Sequence, residues 1–209
     1  MASAPPIVPV RGPFLLSPPQ RPQRHDPQHL GHTETTDVDE AIGYAVRRGA
    51  RQIVLFGWSM GAAIALQLAD RPRHEGLIAA LVLDSPVLDW TEVIKRNCTR
   101  SGVPAAAGHL TVPWLTVGPL ARLVGLPSSI PLRSFDWTAR AADLTTPTLI
   151  LHGARDDSAP IQLSQALRDA RPELAELASF DAGHTLSWNT DPSRWRAAIT
   201  SWLQARVPC

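Results

Sequence analysis

The sequence predicts an α/β fold built on a mostly parallel sheet, and three observations carry that expectation. Short continuous apolar runs at 53–56, 78–83 and 148–151 have the character of parallel strands covered on both faces. Stretches with helical periodicity lie between and after them. Glycine, serine and aspartate gather where the runs end, as they do where strands give way to turns. A chain of 209 residues, 44% hydrophobic and 19% charged, can bury one sizeable core, which excludes a disordered or collagen-like protein.

The elements follow in order. Val38, Ala41, Ile42, Ala45 and Val46 keep the spacing of a helix with one buried face; Asp37 with Glu40 marks its start and Gly49 its end. The run Ile53-Val54-Leu55-Phe56 is the first strand of this alternating region, and a helix over 62–69 ends before Pro72. The strands at 78–83 and 148–151 come next, then helices near 160–170 and 191–206, with a weaker strand at 177–180 between them. The interval 88–146, rich in Pro, Gly and Trp, is too long for a simple crossover and reads as an inserted helical cap, with a short helix over 115–126. Trp90, Trp114 and Trp137 are expected to pack this insertion onto the core; the sharper alternative has some of them lining a substrate pocket. Eight of the 20 prolines fall in the first thirty residues. Residues 1–28 therefore form an irregular segment without a strand pattern, distinct from 29–209.

Twenty basic and nineteen acidic residues nearly cancel, leaving no footprint for nucleic acid or an anionic membrane. Nineteen of the basic residues are scattered arginines, and Lys95 is the lone lysine. Cys98 and Cys209 form neither a C-x-x-C pair nor a disulfide framework. No apolar run approaches the roughly eighteen residues of a membrane span. These features predict a soluble, cytoplasmic protein. No His, Cys, Asp or Glu group has metal-ligand spacing and no phosphate-cradling glycine loop occurs, so neither metal nor cofactor is expected.

The chemistry concentrates at strand ends. Gly57-Trp58-Ser59-Met60-Gly61 matches G-x-S-x-G between a strand and a helix, the context the motif requires. Its glycines permit a strained turn that projects the Ser59 hydroxyl, and the Met60 backbone NH at the helix start can stabilise an oxyanion. A serine nucleophile needs a histidine base, and the histidine needs a carboxylate to orient it. Two later strand ends offer such residues, in His152-Gly153-Ala154-Arg155-Asp156-Asp157-Ser158-Ala159-Pro160 and in Asp181-Ala182-Gly183-His184. Asp84, at the end of the 78–83 strand, is a further candidate acid, with a turn residue bonding nearby backbone NH groups as the plainer reading. His152 reads as a turn residue, and His25, His29, His32, His74 and His109 have no matching context.

On these motifs, the chain from about residue 29 onward resembles the α/β-hydrolases, closest to esterase and serine-peptidase-like members with a cap between their sixth and seventh strands. The resemblance implies a partial α/β-hydrolase sheet. It places the acid on Asp156 through H-G-x-x-D-x-x-x-P, in preference to Asp157, and the base on His184 through Gly183-His184. The implied activity is hydrolysis of an ester, thioester or amide in a small-molecule or peptide acyl substrate, through an acyl-enzyme.

The chain departs from the family pattern at its front. Only 56 residues precede Gly57, whereas the family has several strands before the nucleophile strand and takes a second oxyanion donor from the loop after its third. The expectation is therefore an N-terminally truncated domain whose nucleophile strand is an exposed edge open to self-association, unless the N-terminal segment or another chain covers it. The alternative function is a catalytically impaired fragment or a non-catalytic binding module.

Overall fold

In the central strands, successive side chains feed two different cores, which is why those strands are apolar throughout. Ile53 and Leu55, Leu81 and Leu83, and Ile150 face one cluster; Val54 and Phe56, Ala80 and Val82, and Leu149 and Leu151 face the other. The protein is described by a computed structural model that covers residues 7–10, 34–126 and 128–207. Among these residues five parallel strands form one sheet in the order β1 (Ile7–Val10), β2 (Ile53–Trp58), β3 (Ile78–Asp84), β4 (Thr148–Gly153) and β5 (Ala175–Phe180).

The strands advance in one direction, so crossovers of one hand deposit their helices on one face. Helices α1 (Thr35–Arg47), α2 (Met60–Ala69) and α6 (Ile161–Ala170) supply Ile42, Leu66, Leu68 and Leu167 to that face. The last helix, α8 (Pro192–Arg206), returns beneath the sheet after β5 and covers the other face with Ile199 and Trp202. A short helix, α7 (Ser187–Thr190), leads into it.

The interval between β3 and β4 folds as a cap of three helices, α3 (Trp90–Arg100), α4 (Ala105–Thr116) and α5 (Gly118–Leu123), followed by 3₁₀ turns at Leu132–Phe135 and Ala141–Asp143. The short helix expected over 115–126 is thus two helices meeting at Val117, whose extended backbone ends the first and starts the second. Helix α3 starts where the Asp89 carboxylate accepts the Thr91 NH at 2.7 Å. The cap seats on α2, the helix that follows the Gly57–Gly61 turn, or elbow, through a cluster joining Trp90, Val93, Ile130, Leu132 and Phe135 to Ala63 and Val87, with Met60 packed against it. Trp90 and Trp137 are buried as packing residues, but Trp114 is 42% exposed and belongs to none of the core clusters.

Two further expectations are corrected. Helix α1 begins at Thr35, without a side-chain cap from Asp37. More consequentially, the proline-rich segment contributes a strand: β1 pairs in parallel with β2, with Val10 opposite Gly57. The strand that leads into Ser59, β2, is therefore an interior strand, and β1 is the described edge. Pro9 is compatible with that place, because an edge strand uses the hydrogen-bonding groups of one side only. The remainder of the 1–28 segment lies outside the described residues.

Trp137→Ala is expected to empty a buried site and destabilise the fold by about 3–5 kcal/mol, whereas Trp114→Ala should change stability by no more than about 0.5 kcal/mol. Urea unfolding of both variants checks the contrast.

Candidate active site

The candidate residues all lie at or just beyond the C-terminal ends of parallel strands, where an open α/β sheet leaves a crevice. Ser59 follows β2, Asp84 closes β3, Asp156 follows β4 and His184 follows β5. Each reaches the crevice because its strand stops and the chain turns at once.

The turn at Ser59 is strained. Its backbone has φ 50° and ψ −115°, a conformation that a residue with a Cβ rarely adopts. The strain persists because neighbours fix the backbone from both sides. The Ser59 NH donates to the Asp84 carbonyl at 3.0 Å, and the Ser59 carbonyl accepts from Ala62 at 3.1 Å and from Val87 at 3.4 Å. Gly57 is required for the same geometry, since a Cβ there would lie 2.5 Å from the Ala62 Cα. Met60 opens α2, so its NH is one of the helix donors without an intrahelical acceptor.

The structure brings Ser59, His184 and Asp156 into one hydrogen-bonded chain. His184 Nδ1 lies 2.8 Å from Asp156 Oδ2, and His184 Nε2 lies 2.9 Å from Ser59 Oγ. A carboxylate only accepts, so Nδ1 carries the proton and donates to it. The lone pair of Nε2 then faces the Ser59 hydroxyl, an arrangement able to take its proton as the oxygen attacks. Asp157, by contrast, points outward and pairs with Arg100 at 3.4 Å.

Asp156 is buried, and four donors converge on it. The Ser158 and Ala159 amides reach Oδ1 at 2.9 and 2.8 Å, while His184 and His152 share Oδ2, the latter at 3.3 Å. Burial pushes the Asp156 pKa up. The hydrogen bonds from His152, His184 and Ala159 together outweigh it and hold the carboxyl well below the usual carboxylate range.

His152 is therefore more than the turn residue that sequence alone implied. It lies within β4, fully buried, and its tautomer follows from its neighbours. Nε2 lies 3.0 Å from the Ala159 carbonyl, which can only accept, so Nε2 carries the proton. Nδ1 then accepts from the Ser164 hydroxyl at 2.8 Å.

Asp84 also departs from its expected role, because its partners are side chains rather than backbone amides. Oδ1 accepts from Ser85 Oγ at 3.3 Å and Ser187 Oγ at 3.1 Å, and Oδ2 accepts from Trp195 Nε1 at 2.9 Å. Burial raises its pKa, and these hydrogen bonds offset the rise only in part. Ser85 Oγ in turn accepts the Thr185 NH at 3.0 Å. Ser85 and Thr185 have φ of 50° and 57°, so with Ser59 they are the described non-glycine residues with positive φ, and the Asp84 cluster joins all three. Local sequence carries no signal for this cluster, whose members lie up to 111 positions apart. His74, which had no context in the sequence, is buried far from this crevice on Asp39 at 2.6 Å. Among the described residues no group of His, Cys, Asp or Glu is arranged to hold a metal ion.

A parallel sheet carrying a strained serine between strand and helix, with an aspartate and a histidine at later strand ends, has the architecture of the α/β-hydrolases. The sequence pattern of the alpha/beta hydrolase family matches residues 11–199, and the chain belongs to that family. An uncharacterised protein of Mycobacterium tuberculosis strain H37Rv is 35% identical over 123 residues, 58% of this chain and 34% of that protein. A proline iminopeptidase of Levilactobacillus brevis is 32% identical over 74 residues, 35% of this chain and 24% of the peptidase. The chain thus spans about a third or less of these curated relatives. The Pyrococcus furiosus esterase Pf2001 shares the fold with a TM-score of 0.62 at 17% identity, over 86% of this chain and 64% of the esterase.

Three variants test the site's framework. Asp84→Ala leaves the Trp195 NH and the Ser187 hydroxyl without their acceptor and should destabilise by about 2–3 kcal/mol in urea unfolding. Asp84→Asn, whose amide can rotate to pair with both, should cost less. The ionised Asp156 stabilises the fold above the ordinary aspartate pKa, and this contribution is lost as pH falls. The stability gap between wild type and Asp156→Asn should therefore be widest near neutrality and narrow below about pH 4, as measured by urea unfolding across pH.

Proposed function

We propose that the chain is a serine hydrolase that cleaves an ester, thioester or amide through an acyl-enzyme. The observation that carries this reading is the continuous chain from Ser59 Oγ to His184 Nε2, and from His184 Nδ1 to Asp156 Oδ2, at 2.9 and 2.8 Å. Membership of a hydrolase family and likeness in fold to an esterase support it.

In this mechanism the Ser59 oxygen attacks the carbonyl carbon while its proton passes to His184 Nε2. Asp156 stays ionised and stabilises the imidazolium that forms. The oxyanion of the tetrahedral intermediate accepts the Met60 NH. His184 returns the proton to the leaving group as the bond to it breaks, leaving the acyl group on Ser59. Water deprotonated by His184 then attacks the acyl-enzyme, and collapse of the second tetrahedral intermediate frees the acid and restores Ser59.

A fluorophosphonate probe should label wild type at Ser59 and leave Ser59→Ala unlabelled, as read by intact-mass spectrometry and peptide mapping. Folded wild-type protein that resists the probe would overturn the reading. On a p-nitrophenyl ester, Asp156→Asn should lower kcat by about 10⁴-fold, the scale seen when the orienting carboxylate of a serine triad becomes an amide.

A further inference from the structure

Helix α4 carries apolar residues on two opposite faces, with the exposed His109 and Thr111 on the flanks between them. Its twelve residues include no acid, lysine or arginine, and one face already has a partner: Val112 and Leu115 pack into the cluster that holds Trp90 and Val93 against the elbow helix. The opposite face repeats the pattern toward solvent. Leu110, Pro113, Trp114 and Val117 fall at i, i+3, i+4 and i+7, and all are exposed, Leu110 at 72%. The stripe continues on α5 and just beyond it with Leu123, 76% exposed, and Val124. A contiguous exposed apolar stripe of this kind marks an interaction surface.

Charge decides what covers this face. The chain's near-neutral total hides a segregation: from Val93 to Phe135 there is no aspartate or glutamate, but there are five basic residues. Lys95 is paired with Glu92, and Arg100 with Asp157. Arg96, Arg122 and Arg133 are exposed, and no ion pair engages them among the described residues. Arg122 adjoins Leu123, Arg96 lies on α3, which packs on α4, and Arg133 lies in the 3₁₀ turn that packs on α3. A second copy docking through this face would oppose cation to cation. The chain's own 11–33 segment, with three arginines against one aspartate, is also of the wrong sign.

From this we infer that the α4–α5 face of the cap docks on an anionic lipid surface, inserting Leu110, Trp114, Val117 and Leu123 among the acyl chains while Arg96, Arg122 and Arg133 meet the headgroups. No helix among the described residues is long and apolar enough to cross a membrane, so the association is peripheral. The contact does not involve Ser59, so it stands or falls separately from the hydrolase reading.

The test is co-sedimentation with vesicles of phosphatidylcholine alone and of phosphatidylcholine mixed in equal parts with phosphatidylglycerol, using the full chain as wild type and as Ser59→Ala. Both proteins should bind the anionic vesicles, release them at high salt and leave the neutral ones. Removing all three charges in Arg96→Gln/Arg122→Gln/Arg133→Gln should weaken binding by about fivefold per arginine, the equivalent of ~1 kcal/mol for each cation near an anionic surface. Leu110→Asp/Leu123→Asp should abolish binding while near-UV circular dichroism shows the fold intact, both leucines being exposed. Wild type failing to bind anionic vesicles, or folded Leu110→Asp/Leu123→Asp binding them as wild type does, would overturn the proposal. So would a dimer on size-exclusion chromatography that the same double substitution dissociates, since a second copy would then cover the face.

Discussion

The backbone at Ser59 is the constraint around which the crevice is built. A non-glycine residue held at φ 50° is about 1–3 kcal/mol above its relaxed conformation. It stays there because β3 grips its NH through the Asp84 carbonyl, the Ser59 carbonyl accepts from the Val87 amide, and Gly57 lets α2 turn back within contact. The sheet must therefore be in register before the elbow can form. The apolar runs of β2 and β3 do more than fill a core: their pairing, Trp58 opposite Asp84, delivers the serine to one point in space.

Two buried aspartates, one strand apart, show how hydrogen bonding sets the electrostatics of this end of the sheet. Asp156 is surrounded by two amide NH groups and two imidazoles, and its pKa is driven down despite burial. Asp84 receives two hydroxyls and an indole, weaker in sum, and its pKa remains raised. The first is thus tuned to stay anionic beside a histidine. The second serves as a knot between loops. The fixed tautomer of His152 belongs to the same design, since Ser164 and the Ala159 carbonyl leave its NH no orientation other than toward Asp156 and that carbonyl.

Much of this was legible in the chain because the signals are local. The elbow is five consecutive residues with a strand before it and a helix after it, and strands buried on both faces announce themselves as unbroken apolar runs. The Asp89 cap with Glu92 three residues on was an equally local start signal for α3, obscured by the prolines and tryptophans around it. What escaped was non-local or contrary to composition. Pro9 argued against a strand at 7–10, yet a proline is compatible with an edge, and only the pairing with β2 reveals the edge. The Asp84 cluster gathers residues from β3, α7 and α8, and no window of sequence contains it. The cap's charge segregation was present in the sequence but vanished in the total, because fifteen basic and nineteen acidic residues elsewhere balance the five cations of the cap.

The tie between Asp84 and the C-terminal helices has a dynamic corollary. Ser187 begins α7 and Trp195 lies in α8, which is the only described helix on its face of the sheet. Fraying of that terminal unit would remove two of the three donors to Asp84 and free the Thr185 anchor next to His184, while β2, α2 and the cap remain packed on the other face. Ser59 would then be left in its strained turn without its hydrogen bond to His184. Subglobal opening of α7 and α8 is thus a route by which the hydrogen-bonded chain of Ser59, His184 and Asp156 comes apart before the rest of the fold is lost.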